Sequence, residues 1–309
     1  MKNESLNKLL ATLSIFFLAT FVLSFFVSKK AKTAPKSSST ALLNPNKNGE
    51  VSSIEIGNGN NSLLLSLSNG FWYVQSKIPP LLPGSEPSVS EKSLVNKKLV
   101  EALVHNASEI RTVYKISSEV KDFEPIGLGE DSSFVTFSSA ESELSKIHFG
   151  ITDPLSNRIS FRTENGSDSY ETDDDFSQFL SSDSDYWIAG ELFYEIENPE
   201  TVKFSYPEKN IDFSANSSDK SFATVSHSIM SLRHGALRQR IDVEGSFVVA
   251  KIEVHSGKGD VSVVSVSRKT DADGKSAFFV QKSSSINIED SCFYEISEFT
   301  FNRIVEIFS

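Results

Sequence analysis

The chain has 309 residues, of which 39% are hydrophobic and 24 are phenylalanine, so it can bury a sizeable aromatic core and is not a disordered tail. Acidic residues number 41 against 30 basic ones, a formal charge of −11, which argues against a general nucleic-acid binder. Cys292 is the single cysteine, which excludes an intramolecular disulfide framework and, by its position, a lipid-anchored cysteine after the apolar N-terminal run.

Residues 1–8 form a short tail. The run 9–27, LLATLSIFFLATFVLSFFV, carries no charge. At about 1.5 Å per residue it would reach about 28 Å, close to the hydrocarbon thickness of a bilayer. The sequence therefore predicts a single-pass membrane anchor over 9–28. Pro35, just after the small-residue stretch Ala31-Lys32-Thr33-Ala34, argues against a cleaved signal. Orientation is contested. Lys29, Lys30, Lys32 and Lys36 outnumber Lys2 and Lys8, which by the positive-inside rule places the body in the cytoplasm. The start of the apolar run so near the N-terminus points instead to export. Residues 29–50, rich in Ser, Lys, Asn, Thr and Pro, are expected to be a flexible linker.

Beyond the linker, strands are predicted at 51–56, 62–67 and 71–75, with Asn69-Gly70 as a tight hairpin turn. Ser90 is expected to cap a helix over 90–107, with Leu94, Val95, Leu99, Leu103 and Val104 on its apolar face. Strands at 133–138, 144–149, 158–163 and 168–172 follow, with a hairpin at Asn165-Gly166, then a short helix after Asp173. The second half repeats this order. Strands at 201–206 and 210–214 lead to a helix over 219–238; strands at 247–255, 261–268, 276–281 and 285–288 lead to a helix from 297 to the end. Asp273-Gly274 marks the third hairpin. The expected fold class is α+β: an N-terminal transmembrane helix, then two similar, mostly antiparallel modules with packed helices, 51–196 and 197–309.

Few side chains suggest chemistry. Glu171, Asp173, Asp174 and Asp175 are dense enough for a cation site, but lack calcium-loop spacing and fit better as helix-capping residues. Asp271-Ala272-Asp273-Gly274 opens like a calcium loop, yet position 282, where the loop needs Glu, is Lys282. His227 and His234 fall on one predicted helix but two turns apart, too far to share a metal without outside ligands. No catalytic residues, metal or cofactor are expected. Arg233, His234, Arg238 and Arg240 form the one local basic patch and are the candidate surface for an acidic partner or lipid headgroup; solvated helix-end cations are the plainer reading. Trp72, on the strand Phe71-Trp72-Tyr73, is a candidate sugar-stacking residue, with a core role the plainer alternative.

The run Ile54-Glu55-Ile56, Leu63 to Leu67, then Asn69-Gly70-Phe71-Trp72-Tyr73-Val74, with Gly127-Leu128 and Tyr170 and Asp173 further on, resembles the family named as domain of unknown function 4340. The likeness spans roughly 51–195, with Ile126 standing where members often carry an aromatic residue. It implies a bacterial, membrane-anchored, extracytoplasmic protein, often associated with ABC-type transport components, and supplies no catalytic residues. The expected function is a non-enzymatic binding or accessory module of a cell-envelope transport complex, held by residues 9–28 and reaching a protein partner but no nucleic acid. The alternative is an envelope enzyme acting on glycans through paired carboxylates, or a carbohydrate binder.

Overall fold

The computed structural model describes residues 37–58, 61–78, 88–164, 166–238, 240–286, 289–290 and 292–309. The first part of the chain gives β1 (Ser37–Thr40), β2 (Ser53–Asn58), β3 (Asn61–Ser68), β4 (Phe71–Ile78), β5 (Ser88–Val89) and β6 (Ser93–Leu94). Then come α1 (Lys97–Ser108), β7 (Arg111–Ser117), β8 (Ser133–Ser138), β9 (Glu143–Asp153), β10 (Arg158–Thr163), β11 (Ser169–Asp173) and α2 (Ser184–Trp187). The second part gives β12 (Pro199–Tyr206), β13 (Ile211–Asn216), α3 (Phe222–Met230), β14 (Leu237–Arg238) and α4 (Arg240–Val243). It closes with β15 (Phe247–Ser256), β16 (Val261–Thr270), β17 (Ser276–Ser284), β18 (Phe293–Ile296) and α5 (Glu298–Ile307).

These strands form two sheets, antiparallel at every pairing described. The first runs β1-β7-β11-β10-β9-β8-β2-β3-β4-β5, with β6 also on β4; the second runs β13-β12-β15-β16-β17-β18-β14. Seven strands correspond one for one: β7-β11-β10-β9-β8-β2-β3 in the first sheet matches β14-β18-β17-β16-β15-β12-β13 in the second. A helix, α1 or α3, sits at the same point in both chain orders, after the first strands and before the strand that crosses to the far edge. The first sheet extends the common set at both ends, with β1 beyond β7 and β4 beyond β3.

Strand alternation builds the cores. Ile54 and Ile56, Leu63 and Leu65, and Trp72 and Val74 lie on one face of the first sheet and pack with Val100, Leu103 and Ala107 of α1. In the second, Phe204, Ile252, Val254, Val264, Val266 and Val280 pack with Ile229 of α3 and Phe301 and Ile304 of α5. Each such side chain contributes about 1.5–3 kcal/mol of burial. Ile188, in the connection between the sheets, packs against both cores. The Asn69-Gly70 hairpin forms as predicted, both residues with positive φ (51° and 83°). Asp273-Gly274 also turns, held by Asp271 Oδ1, which accepts the Asp273 and Lys275 amides. The expected turn at Asn165-Gly166 falls partly outside the described residues, although β10 and β11 pair as antiparallel neighbours.

Several expectations are corrected. The expected α+β fold class does not hold: the described residues are mostly antiparallel β in two sheets. No helix among them is long and apolar enough to cross a membrane. The predicted span, 9–28, lies outside the described residues. The supposed linker contributes to the body from Ser37 onward. β1 pairs with β7, Leu42 and Leu43 are buried, and the Leu43 amide donates to Ala107 O at 2.8 Å. Polar composition misled here because an edge strand needs backbone partners rather than apolar side chains.

Helix α1 starts at Lys97, not Ser90. Ser93–Leu94 pairs with β4, and Ser90 bonds the Ser76 amide, so the chain stays extended until Asn96 caps the Lys98 amide. Helix α3 ends at Met230 rather than 238. Leu232 is buried as its periodicity predicts, but it arrives through a turn, and Leu237–Arg238 is drawn into pairing with β18. The strand expected at 285–288 is not formed at 285–286, while Phe293–Ile296 is a strand the sequence did not announce.

Candidate functional site

The most distinctive chemistry lies at the seam where β4 and β6 of the first sheet meet residues 289, 290 and 292–294 of the second. Alternation sends Trp72 into the first core and turns Tyr73 the other way, where it is fully buried with Leu94 and Ala189. Ser68 Oγ donates to Glu289 Oε1 at 2.6 Å, and Lys92 pairs with the other oxygen of that carboxylate. Ser93 Oγ donates to Cys292 Sγ at 3.2 Å, whose thiol donates to Lys92 O at 3.0 Å. The Lys97 amide donates to Tyr194 Oη at 2.9 Å.

Behind these contacts sits a buried ionic group. Lys282 Nζ lies 3.6 Å from Asp290 Oδ2, with the two side chains only 3% and 2% exposed. Tyr294 Oη donates to Asp290 Oδ1 at 2.9 Å, and the Lys282 ammonium stands 5.2 Å from the centre of the Tyr294 ring. Glu195 accepts from Ser262 Oγ at 2.6 Å through Oε1, while its buried Oε2 has no hydrogen-bond partner among the described residues. Burial, with the charges of Glu289, Asp290 and Glu195, pushes the Tyr73 phenol up to about 12. Burial also raises Tyr294 well above its ordinary value. Both phenols are therefore neutral at physiological pH.

Two open clefts flank the seam. One, of about 390 Å³, is lined by Phe71, Tyr194, Glu195, Glu197, Lys97, Lys258 and Asp260 among others. The other, of about 460 Å³, is lined by Ser76, Glu91, Asp185, Arg238, Arg240 and Cys292 among others. Both sizes suit a small molecule or an inserted side chain.

The basic patch does not assemble as predicted, because the helix that was to carry it stops early. Arg233 pairs with Glu191, and Arg238 pairs with Glu295, its Nε at 3.0 Å. Arg240 opens onto the larger cleft. His234 is turned inward. Its ring stacks on Tyr294 with centroids 4.0 Å apart; Nδ1 lies 2.8 Å from Gly235 O and Nε2 2.8 Å from Ala189 O. Burial, then the nearby Lys282 charge, pulls this imidazole down to about 4. Trp72 is 8% exposed and belongs to the core, so it presents no open stacking face; its carbonyl accepts the Val95 amide at 2.8 Å. The acidic run is used structurally. Asp174 accepts the Phe176 and Ser177 amides, Asp183 caps α2, and Glu171 and Asp173 pair with Arg158.

One constellation went unseen in the sequence. Ser132 Oγ lies 3.0 Å from His148 Nδ1, and Glu164 bonds His148 Nε2, the order of a nucleophile, a base and its orienting acid. Ser132 and His148 are only 6% and 9% exposed, so the hydroxyl is sealed beneath the sheet surface. Burial lowers the imidazole below its ordinary value, against the opposing bond from Glu164. The thiol of Cys292 is buried in the wall of the larger cleft, and burial pushes it up to about 12. Strand register would not have found it: β8 and β10 place Phe134 and Arg162 opposite His148, while Ser132 and Glu164 lie just beyond the ends of those strands.

No family model and no curated protein matches the chain. Among solved structures, a chain from Eubacterium rectale provisionally assigned as a DNA polymerase III beta subunit aligns with 86% of this chain at 10% identity and a TM-score of 0.15. This chain spans 66% of that one, and a likeness so slight carries no argument about fold or function.

Proposed function

We propose that this protein is a non-enzymatic binding module that serves as an accessory part of an ABC-type transport complex in the bacterial envelope. The observation that carries the reading is the contrast between closed and open chemistry. The groups that could act as nucleophiles, Ser132 beside His148 and Cys292, are buried. The polar side chains that face solvent line the clefts at the seam, where a partner can reach them. The envelope and transport setting rests on the resemblance to the domain of unknown function 4340 family. Affinity purification of the tagged full chain from solubilised envelope fractions is expected to recover ABC-type subunits. Recovery of no stable partner counts against the proposal. Covalent labelling of Ser132 by a serine-directed organophosphonate would replace it with a hydrolase.

A further inference from the structure

Three carboxylates lie within electrostatic reach of the Tyr73 phenol at the seam: Glu289, Asp290 and Glu195. Two of them have a cation. Glu289 pairs with Lys92, and Asp290 with Lys282. Glu195 has none among the described residues. It is 7% exposed, its Oε1 accepts the Ser262 hydroxyl, and its Oε2 is buried without a hydrogen-bond partner among those residues. A buried carboxylate oxygen with nothing to meet it is costly. Glu195 also forms part of the wall of the 390 Å³ cleft, so the deficit sits where a ligand can arrive. The same wall carries Asp260, whose carboxylate accepts from Ser256 Oγ at 3.2 Å and pairs with no cation among the described residues. The two lysines of the cleft have carboxylates of their own: Lys97 has Glu101 at 3.4 Å and Lys258 has Glu197 at 3.9 Å. Phe71, Val95 and Ile286 give the cleft an apolar side.

We propose that this cleft receives a primary ammonium group on a methylene stem, presented as a lysine side chain by the protein's partner, with Glu195 as its counter-charge. The proposal rests on the binding-module reading above. The chemistry of the wall selects the head group. No set of three His, Cys, Asp or Glu side chains placed to hold a metal occurs among the described residues, so the cation must need fewer ligands than a metal does. A guanidinium recognises a carboxylate through two parallel bonds, but Ser262 already holds one oxygen of Glu195. An ammonium is a compact point charge that one free oxygen can satisfy. Its stem can lie along the apolar side of the cleft while the head reaches the carboxylate. The hydrogen bond that loosens as Glu195 turns its covered oxygen toward the head group is the one from Ser262. A formal charge of −11 draws basic partners toward the surface.

Saturation-transfer NMR on the full chain in a non-ionic detergent, with Nα-acetyl-lysine amide as the probe, is expected to show saturable binding at millimolar concentration. Nα-acetyl-norleucine amide has the stem without the charge, and Nα-acetyl-arginine amide carries the charge in a planar fork; each should bind about tenfold more weakly, or worse. Glu195→Gln keeps the shape and an acceptor for Ser262 while removing the charge, and should weaken the lysine probe by about tenfold or more. The three-probe comparison on the unaltered chain decides the matter should that variant fail to fold. n-Butylamine, the same head and stem without a peptide backbone, should bind no more tightly than the lysine probe; binding about tenfold tighter assigns the cleft to a free amine and overturns the partner's lysine. No saturable binding of the lysine probe, equal binding of the norleucine or arginine probe, or unchanged binding in Glu195→Gln overturns the site. These readouts do not depend on whether affinity purification recovers transport subunits, so the site and the binding-module reading fail separately.

Discussion

Removing the Lys282 ammonium should be among the most damaging single changes in the molecule. In Lys282→Met the side-chain volume is nearly kept, so little of the effect comes from a cavity. What changes is that Asp290, 2% exposed, is left with a buried charge and, among the described residues, Tyr294 Oη to meet it. Breaking a buried ion pair by removing one partner costs about 3–5 kcal/mol. For a body of this size, each kcal/mol lowers the melting temperature by about 2–4 °C, so the midpoint should fall by roughly 6–20 °C. Scanning calorimetry of the full chain, paired with urea unfolding followed by the fluorescence of Trp72 and Trp187, measures both. The double variant Lys282→Met with Asp290→Asn removes both charges and keeps an acceptor for Tyr294, so it should recover most of the loss. If Lys282→Met alone costs under about 1 kcal/mol, or the double variant is no better than the single, the seam is not held electrostatically and the reasoning fails.

Three smaller effects should accompany this one. His234 titrates at about 4 in the folded chain against 6.5 when free. Below pH 6.5 the unfolded chain therefore takes up a proton that the folded chain refuses. Stability should be full above about pH 6.5 and fall by up to about 3 kcal/mol as the pH drops toward 4. His148, also lowered, acts in the same direction; urea midpoints that do not change between pH 7.5 and 4.5 contradict this. Cys292, with its thiol at about 12, should resist iodoacetamide at pH 8 in the native protein and react fully in denaturant, as read by intact-mass spectrometry. Asn96→Ala deletes the cap that accepts the Lys98 amide and should cost about 1 kcal/mol in urea unfolding.

What was legible in the sequence was local. Strands 133–138 and 158–163 fall where alternation places them, and Asn69-Gly70 turns because those two residue types tolerate positive φ. Apolar periodicity located Phe222, Val225, Ile229 and Leu232 as buried, but period alone could not say where backbone hydrogen bonding changes from helix to strand. That choice was made by β18, whose residues Phe293 and Tyr294 claim Arg238 and Leu237 as partners. The seam was invisible for the same reason. Lys92 and Cys292 lie 200 residues apart, and Glu195 and Ser262 are 67 apart, so no window of sequence holds both members. Arg233, His234 and Arg238 looked like one patch because they were drawn on one helix. In the folded chain each answers to a different neighbour: Glu191, the Tyr294 ring and Glu295.

The position of Ile188 has a mechanical corollary. A side chain shared by two hydrophobic interiors ties the connecting segment to both, so a swing of one sheet against the other would have to break that contact. A push delivered at one rim would travel to the opposite rim through packed atoms. A partner gripping either half would thereby steer the whole body like a lever.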